Sequence, residues 1–131
     1  MGKYGNVAKT AVSLPRTEKA KDPIDAWEIA VHDIFPNSES SRKKGCPRST
    51  FLGLCESGYI AGARKGKYTK SVKNKNYAIE ALKLLITNQN LLHDSKCLWE
   101  LVLDGEKKQQ NSQMDVVISL WQNDMIQRER I

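Results

Sequence analysis

The sequence has few of the residues that build disulfide frameworks, and it has no long apolar run. Only three of its 131 residues are cysteine, and so small and odd a number predicts free thiols in a reducing compartment. No run approaches the ~18 apolar residues that a membrane helix needs, and the first residues lack the apolar core and cleavage pattern of a signal peptide. These absences predict a cytoplasmic protein with no membrane partner.

Apolar and charged residues occur in the proportions of an ordinary folded domain. Hydrophobic residues make up 40% of the chain and charged residues 27%, whereas a disordered chain would contain far less leucine, isoleucine, valine and tryptophan. A length of 131 residues is sufficient for one domain with its own hydrophobic core. We therefore expect residues 1–131 to form a single domain.

Apolar residues recur at spacings of three and four along most of the chain, which is the period of an α-helix. Asp22 before Pro23 is typical of a helix start, Asp94 can cap another helix, and Ser112 with Asp115 has the form of a capping box. Helices are predicted within residues 4–15, 22–36, 47–58, 74–87, 94–105 and 112–125, the first ending at Pro15. The pattern predicts an all-α fold, a compact bundle of five to six helices.

Two connecting segments interrupt this period. Residues 37–44 are rich in serine and charge and have no apolar period, which indicates a loop or an extended arm. Residues 59–71 are divided by glycines and are strongly basic, so we expect a small hairpin or an extended basic loop there. The helix over residues 74–87 is the most apolar in the sequence, and we expect it to be the central one.

Positive charge is concentrated in one quarter of the chain. Residues 42–75 contain ten cations and a single carboxylate, Glu56, for a net charge of +9. Because the whole chain carries +6, the remaining residues carry −3, and such an asymmetry is typical of a surface that binds a polyanion. The candidate anion-binding residues are Arg42, Lys43, Lys44, Arg48, Arg64, Lys65, Lys67, Tyr68, Lys70, Lys73 and Lys75.

Three interpretations of this basic stretch stay open. The first is binding to nucleic acid, either DNA or RNA, because each phosphate that a cation neutralises releases condensed counterions. The second is another anionic partner, such as an acidic protein or a nucleotide. The third is a solvated face that only keeps a helical protein in solution. The sequence does not fix the oligomeric state.

Catalytic and metal-binding patterns are weak in this sequence. Cys46 follows three cations at an expected helix start, a setting that lowers a thiol pKa, so a cysteine-dependent enzyme is the least favoured alternative. Such an enzyme would also need His32 or His93 as a base. Cys46 and Cys55 are further apart than paired zinc ligands. We therefore expect no metal and no cofactor, and we assign no catalytic residue.

Four short motifs resemble those of a known family. They are SSRKKGCP at residues 40–47, FLGLCE-x-G at 51–58, G-x-Y-x-x-S-x-x-N at 66–74 and NSQMDV at 111–116. With these motifs the chain resembles a family of small, uncharacterised bacterial proteins, a domain of unknown function. The resemblance extends over nearly the whole chain and implies one complete domain of bacterial or phage type. It implies no activity.

Overall fold

Six α-helices of nine or more residues form most of the chain in the computed structural model, which describes residues 2–14 and 20–131. The helices, including one single turn, are α1 (Lys3–Ser13), α2 (Pro23–Ile34), the short α3 (Glu39–Arg42), α4 (Gly45–Glu56), α5 (Val72–Thr87), α6 (Ser95–Leu103) and α7 (Gln113–Gln122). Two 3-10 turns lie at Gln89–His93 and Arg128–Arg130. The prediction of an all-α bundle is confirmed. The predicted helix end at Pro15 lies outside the described residues.

Side-chain caps explain where three of the helices begin. Asp22 accepts a hydrogen bond of 2.8 Å from the backbone N–H of Asp25, and Asp94 accepts one of 3.0 Å from Cys97, as the sequence predicts. Ser71 accepts from the backbone N–H of Asn74 at 3.3 Å. Because Ser71 satisfies one of the free N–H groups of the first turn, α5 begins at Val72, two residues earlier than the apolar pattern indicates.

Two local predictions are wrong. Residues 37–44 are not wholly a loop, because Ser38 accepts a hydrogen bond from the N–H of Ser41 and starts the single turn α3. Ser112 forms no capping box, since its backbone has a φ of 68° and its side chain makes no cap hydrogen bond. The side chain of Gln110 instead accepts from the N–H of Met114 at 3.2 Å. A left-handed backbone at the cap position moves the serine hydroxyl away from the N–H groups it would serve.

The core is arranged around α7 rather than around α5. Helix α7 packs against α1, α4, α5 and α6, and its residues from Val116 to Trp121 are all buried. Asp115 is the only charged residue in this helix, whereas α5 carries lysines on a solvent-exposed face. A helix that is apolar on all sides belongs in the interior, and the prediction that α5 is central is therefore wrong.

The segment between α4 and α5 is an extended loop and not a hairpin. Gly58 ends α4 with a φ of 83°, in the left-handed conformation that the sequence predicts. Residues 59–71 then contain no strand, and their only ladder contact within the described residues is an isolated antiparallel bridge between Ile60 and Ile126. The extended basic loop, one of the two predicted forms, is the form observed.

Among the described residues, no helix has both the length and the apolar character needed to cross a bilayer.

Candidate anion-binding surface

The basic residues divide into groups at the two ends of α4. Arg42, Lys43 and Lys44, here called the arm group, come directly before Gly45, the first residue of α4. Arg64, Lys65, Lys67 and Lys70, here called the loop group, lie on the loop that returns to Glu56 at the other end. A helix of 12 residues is about 18 Å long at 1.5 Å per residue. The helix therefore holds the two groups apart.

The arm group is largely engaged within the protein. The guanidinium of Arg42 donates to the carbonyl oxygens of Phe35 at 2.8 Å and Pro36 at 3.0 Å. Lys43 forms an ion pair of 2.6 Å with Glu39, and the ammonium of Lys44 lies 5.8 Å from the centre of the Tyr4 ring. Arg42 is thus held in place by the protein, the charge of Lys43 is partly offset by an exposed ion pair, and the charge of Lys44 is not offset by a carboxylate among the described residues.

Three further candidate cations have carboxylate partners. Arg48 pairs with Glu28 at 3.2 Å, joining α4 to α2. Lys73 lies 3.5 Å from Glu106. That carboxylate also accepts a hydrogen bond of 2.7 Å from the hydroxyl of Tyr77, which together with burial raises the pKa of Tyr77 to about 12. Lys75 pairs with Glu56 at 2.6 Å.

The four cations of the loop group differ from the others in their surroundings. All four are exposed. Within residues 2–14 and 20–131, none of the ion pairs or side-chain hydrogen bonds involves the charged end of Arg64, Lys65, Lys67 or Lys70. The loop group is therefore the largest set of candidate cations whose charge is available to an anion, and the exposed Lys44 at the other end of α4 is a further one.

Glu56 holds the loop against the end of α4. Its Oε1 atom accepts the backbone N–H groups of Tyr68 at 2.9 Å and Thr69 at 3.1 Å, and its Oε2 atom accepts from Lys75. The side chain is only 10% exposed. Burial by itself raises the pKa of this carboxyl, but the hydrogen bonds from Lys75, Tyr68 and Thr69 outweigh burial and lower it. Glu56 carries the only negative charge of residues 42–75, and both of its carboxylate oxygens are thus occupied by hydrogen bonds from the loop and from Lys75.

Tyr68 stabilises the loop from within. Its hydroxyl donates to the carbonyl oxygen of Arg64 at 2.9 Å, and partial burial raises its pKa. The ring packs over Gly66, where a Cβ atom would lie 2.8 Å from ring atoms of Tyr68. Glycine at this position therefore permits the close approach of the tyrosine, which remains partly exposed.

The C-terminal segment fixes the other end of the loop. Gln127 donates its backbone N–H to the carbonyl oxygen of Tyr59 at 2.8 Å. Its side-chain amide donates to the carbonyl oxygens of Gly58 and Ile60, both at 3.2 Å. We call residues 125–127 the strap. Because its partners lie almost seventy positions earlier, nothing in the local sequence indicates this contact.

A buried polar contact joins two of the motifs that are far apart in the sequence. The side-chain oxygen of Asn74 accepts a hydrogen bond of 3.2 Å from Gln113, and both residues are buried. The amide of Asn74 also donates to Ser71 at 3.0 Å. The start of α5, at the end of the basic loop, is thereby fixed to the start of α7. A buried amide pair has no sequence signal, since each residue alone resembles an ordinary surface residue.

The described residues place no histidine base in hydrogen-bond contact with Cys46, the candidate nucleophile. Cys46 is half-buried, and within the described residues no hydrogen bond joins it to His32 or His93. The Nδ1 atom of His32 lies 2.8 Å from the carbonyl oxygen of Glu28. Cys55 is fully buried among apolar side chains, and burial raises the pKa of its thiol strongly. No three His, Cys, Asp or Glu side chains of the described segments lie together in the manner of a metal site.

Comparisons with known proteins identify a family but no activity. No curated protein matches the chain, and no solved structure matches it. One family matches residues 1–127, which is nearly the whole sequence and includes both the basic loop and the strap. This extent agrees with the resemblance found from the four sequence motifs. The chain belongs to a family of unknown function, DUF6979.

Proposed function

We propose that this protein binds nucleic acid through the sugar-phosphate backbone, with the loop group as its principal contact. The observation that carries the proposal is the set of four exposed cations for which the described residues provide no carboxylate partner. Phosphate contacts of this kind supply most of the affinity of sequence-independent binding.

The attachment of the loop supports the proposal. The loop is held in place before any partner arrives. Glu56 and Tyr68 fix the backbone among the cations, and the strap fixes the start of the loop. A segment that is already ordered loses less conformational freedom on binding than a flexible one. Lysines that project from a fixed backbone are therefore better placed to hold phosphates than the same lysines on a flexible tail.

The composition of the loop group favours nucleic acid over a protein partner. Three of its four cations are lysine, and lysine is depleted in protein–protein interfaces, which are richer in aromatic residues and methionine. One observation favours the alternative, an acidic protein. Val72 is 66% exposed between Lys70 and Lys73, and an exposed apolar side chain among cations suits a protein surface better than a phosphate backbone.

Salt-dependent binding tests this proposal. Contact with four phosphates gives a plot of log K against log salt concentration with a slope of about −3.6 for duplex DNA and about −2.8 for a single strand. Replacing Lys65, Lys67 and Lys70 with glutamine should make the duplex slope shallower by about 2.7. Fluorescence anisotropy of a labelled oligonucleotide at several salt concentrations measures both slopes.

A matched variant controls for the loss of net charge. Lys9, Lys83 and Lys96 are also exposed and lie on α1, α5 and α6, so their replacement with glutamine removes the same number of charges and should leave most of the slope. Equal losses in the two variants, or no binding at low salt, would refute the proposal. Poly-glutamate that binds as tightly as DNA of equal charge, at the same salt concentration, would favour the acidic-protein alternative.

A further inference from the structure

Two concave surfaces adjoin each other at Tyr68. The first is a cleft of about 460 Å³ between α1, α2, α4 and the basic loop. The second is a shallow depression of about 540 Å³. Tyr68 lines both of them. A ligand in one is therefore within reach of the other.

The cleft has an apolar boundary and a polar rim. Phe51, Cys55 and Ile60 close its inner side. Towards solvent it is lined by residues 61–64 of the loop and by Lys21 and Asp22. Gly62 has a φ of 82°, and no heavy atom of the described residues lies within 4 Å of the position of a Cβ atom there. The volume of the cleft lies within the range of pockets that bind small ligands.

The depression has the chemistry of a phosphate site. It is lined by Lys67, Lys70 and Lys75 together with Thr69. Glu56 also lies in its lining, but both carboxylate oxygens accept hydrogen bonds within the protein. The charge that remains available here is positive.

We infer that this surface selects single-stranded over double-stranded nucleic acid, and this inference rests on the proposed function. One phosphate occupies the depression on Lys67 and Lys70, and an adjoining unpaired base enters the cleft beside Tyr68 and Arg64. Tyrosine rings and arginine guanidinium planes are the groups on which unpaired bases stack. The bases of a duplex are paired and stacked inside it, so a duplex can contact the lysines but cannot fill the cleft.

Three oligomers of equal length test the inference with the unmodified protein. They are a thymidine single strand, a single strand of the same charge with abasic sites in place of every base, and a duplex. The thymidine strand should bind about tenfold more tightly than the abasic strand, which is within the range that one stacked base provides. Competition against a labelled strand at fixed salt gives the three affinities. Replacing Tyr68 with leucine should bring the affinity for thymidine down towards that for the abasic strand.

The possible results separate the two proposals. Equal binding of the thymidine and abasic strands would overturn the inference and leave backbone binding intact. Duplex binding that equals or exceeds single-strand binding would also overturn it. If none of the three oligomers binds at low salt, the proposed function itself fails. Because the abasic comparison needs no substitution, a folding defect in the Tyr68 variant does not affect it.

Discussion

Glu56 is the residue on which the candidate surface depends most. Its two oxygens accept three hydrogen bonds from Tyr68, Thr69 and Lys75, and they do so where the side chain is largely removed from water. Loss of the carboxylate would leave two backbone N–H groups and one ammonium without their acceptor. Each unpaired donor in a partly buried site carries a desolvation cost.

Replacing Glu56 with glutamine should lower the free energy of unfolding at neutral pH by about 1–3 kcal/mol. The amide oxygen can still accept from Tyr68 and Thr69, but the amide nitrogen then faces the ammonium of Lys75. Urea denaturation followed by circular dichroism measures the change. Glu80 is exposed, and its replacement with glutamine should have a much smaller effect.

The effect of replacing Glu56 with glutamine on the free energy of unfolding should depend on pH. The pKa of Glu56 is lower in the folded protein than in the unfolded chain, so its stabilising effect is fully present above about pH 4.3, the ordinary pKa of glutamate. It is lost as the pH falls through the lower, folded value. The difference in unfolding free energy between the native protein and the glutamine variant should shrink below about pH 4.3. A difference that stays constant down to pH 2 would contradict this role.

Helix caps could be predicted from the sequence where the capping side chain and the N–H group that it accepts are close together in the chain. Asp22 and Asp94 each cap a helix as expected, because the acceptor and the donor are only three residues apart. Ser112 has the same local pattern but adopts a positive φ. Local sequence does not determine that backbone conformation, which forms where the chain enters the buried helix α7.

At the scale of elements, α4 sets the spacing of the charges and brings the loop close to α5. Gly53 lies on the face of α4 that packs against α5, where a Cβ atom would be 2.8 Å from the Cα atom of Lys75. Lys75 is the residue that pairs with Glu56 one turn further along α4. Glycine therefore permits the helix contact that supports the ion pair.

Replacing Gly53 with alanine should destabilise the protein by about 1–2 kcal/mol, because the clash with the backbone at Lys75 outweighs the gain in helix propensity of ~1 kcal/mol. Gly45 provides the control in the same helix. In the part of the chain that the structure describes, no heavy atom lies within 4 Å of a Cβ at that position, so alanine there should be neutral or stabilising by up to about 1 kcal/mol. Thermal denaturation of both variants tests this pair, and equal effects would contradict the packing argument.

Helix types were predictable from periodicity, but their arrangement was not. All six of the longer helices begin within two residues of their predicted starts, and α4 includes Gly45 and Cys46 before Pro47. Seven of the ten cations fall into two groups, which are separated in the chain by the buried apolar segment of α4 from Phe51 to Cys55. The sequence placed the cations in one stretch. Only packing showed that a helix separates the arm group from the loop group.

At the scale of the whole molecule, the candidate surface is completed by the last residues of the family match. Ile126 is 6% exposed and pairs with Ile60 across an antiparallel bridge. Gln127 adds hydrogen bonds to Gly58, Tyr59 and Ile60. No pattern in either segment indicates the other, since both are short and irregular. A pairing of this kind is decided by the tertiary structure.

Replacing Ile126 with alanine should lower the free energy of unfolding by about 2–4 kcal/mol and loosen the loop. Trypsin cleaves after lysine and arginine, so cleavage after Lys65 and Lys67 should become faster than in the native protein. Ile86 is 45% exposed, and its replacement with alanine should leave both quantities nearly unchanged. A loop that resists trypsin equally in the Ile126 variant would show that the strap does not hold it.

Because the strap is synthesised after the loop, the candidate surface cannot be complete until the ribosome has made residues 125–127. Gln127 is 69 residues after Gly58, the first residue that its side chain holds. At about 5–20 residues per second, a ribosome needs roughly 3–14 s to make that interval. For most of that interval the growing chain carries the loop group without the hydrogen bonds that the strap donates to residues 58–60. The cations therefore exist for seconds before the strap contacts that fix their arrangement can form.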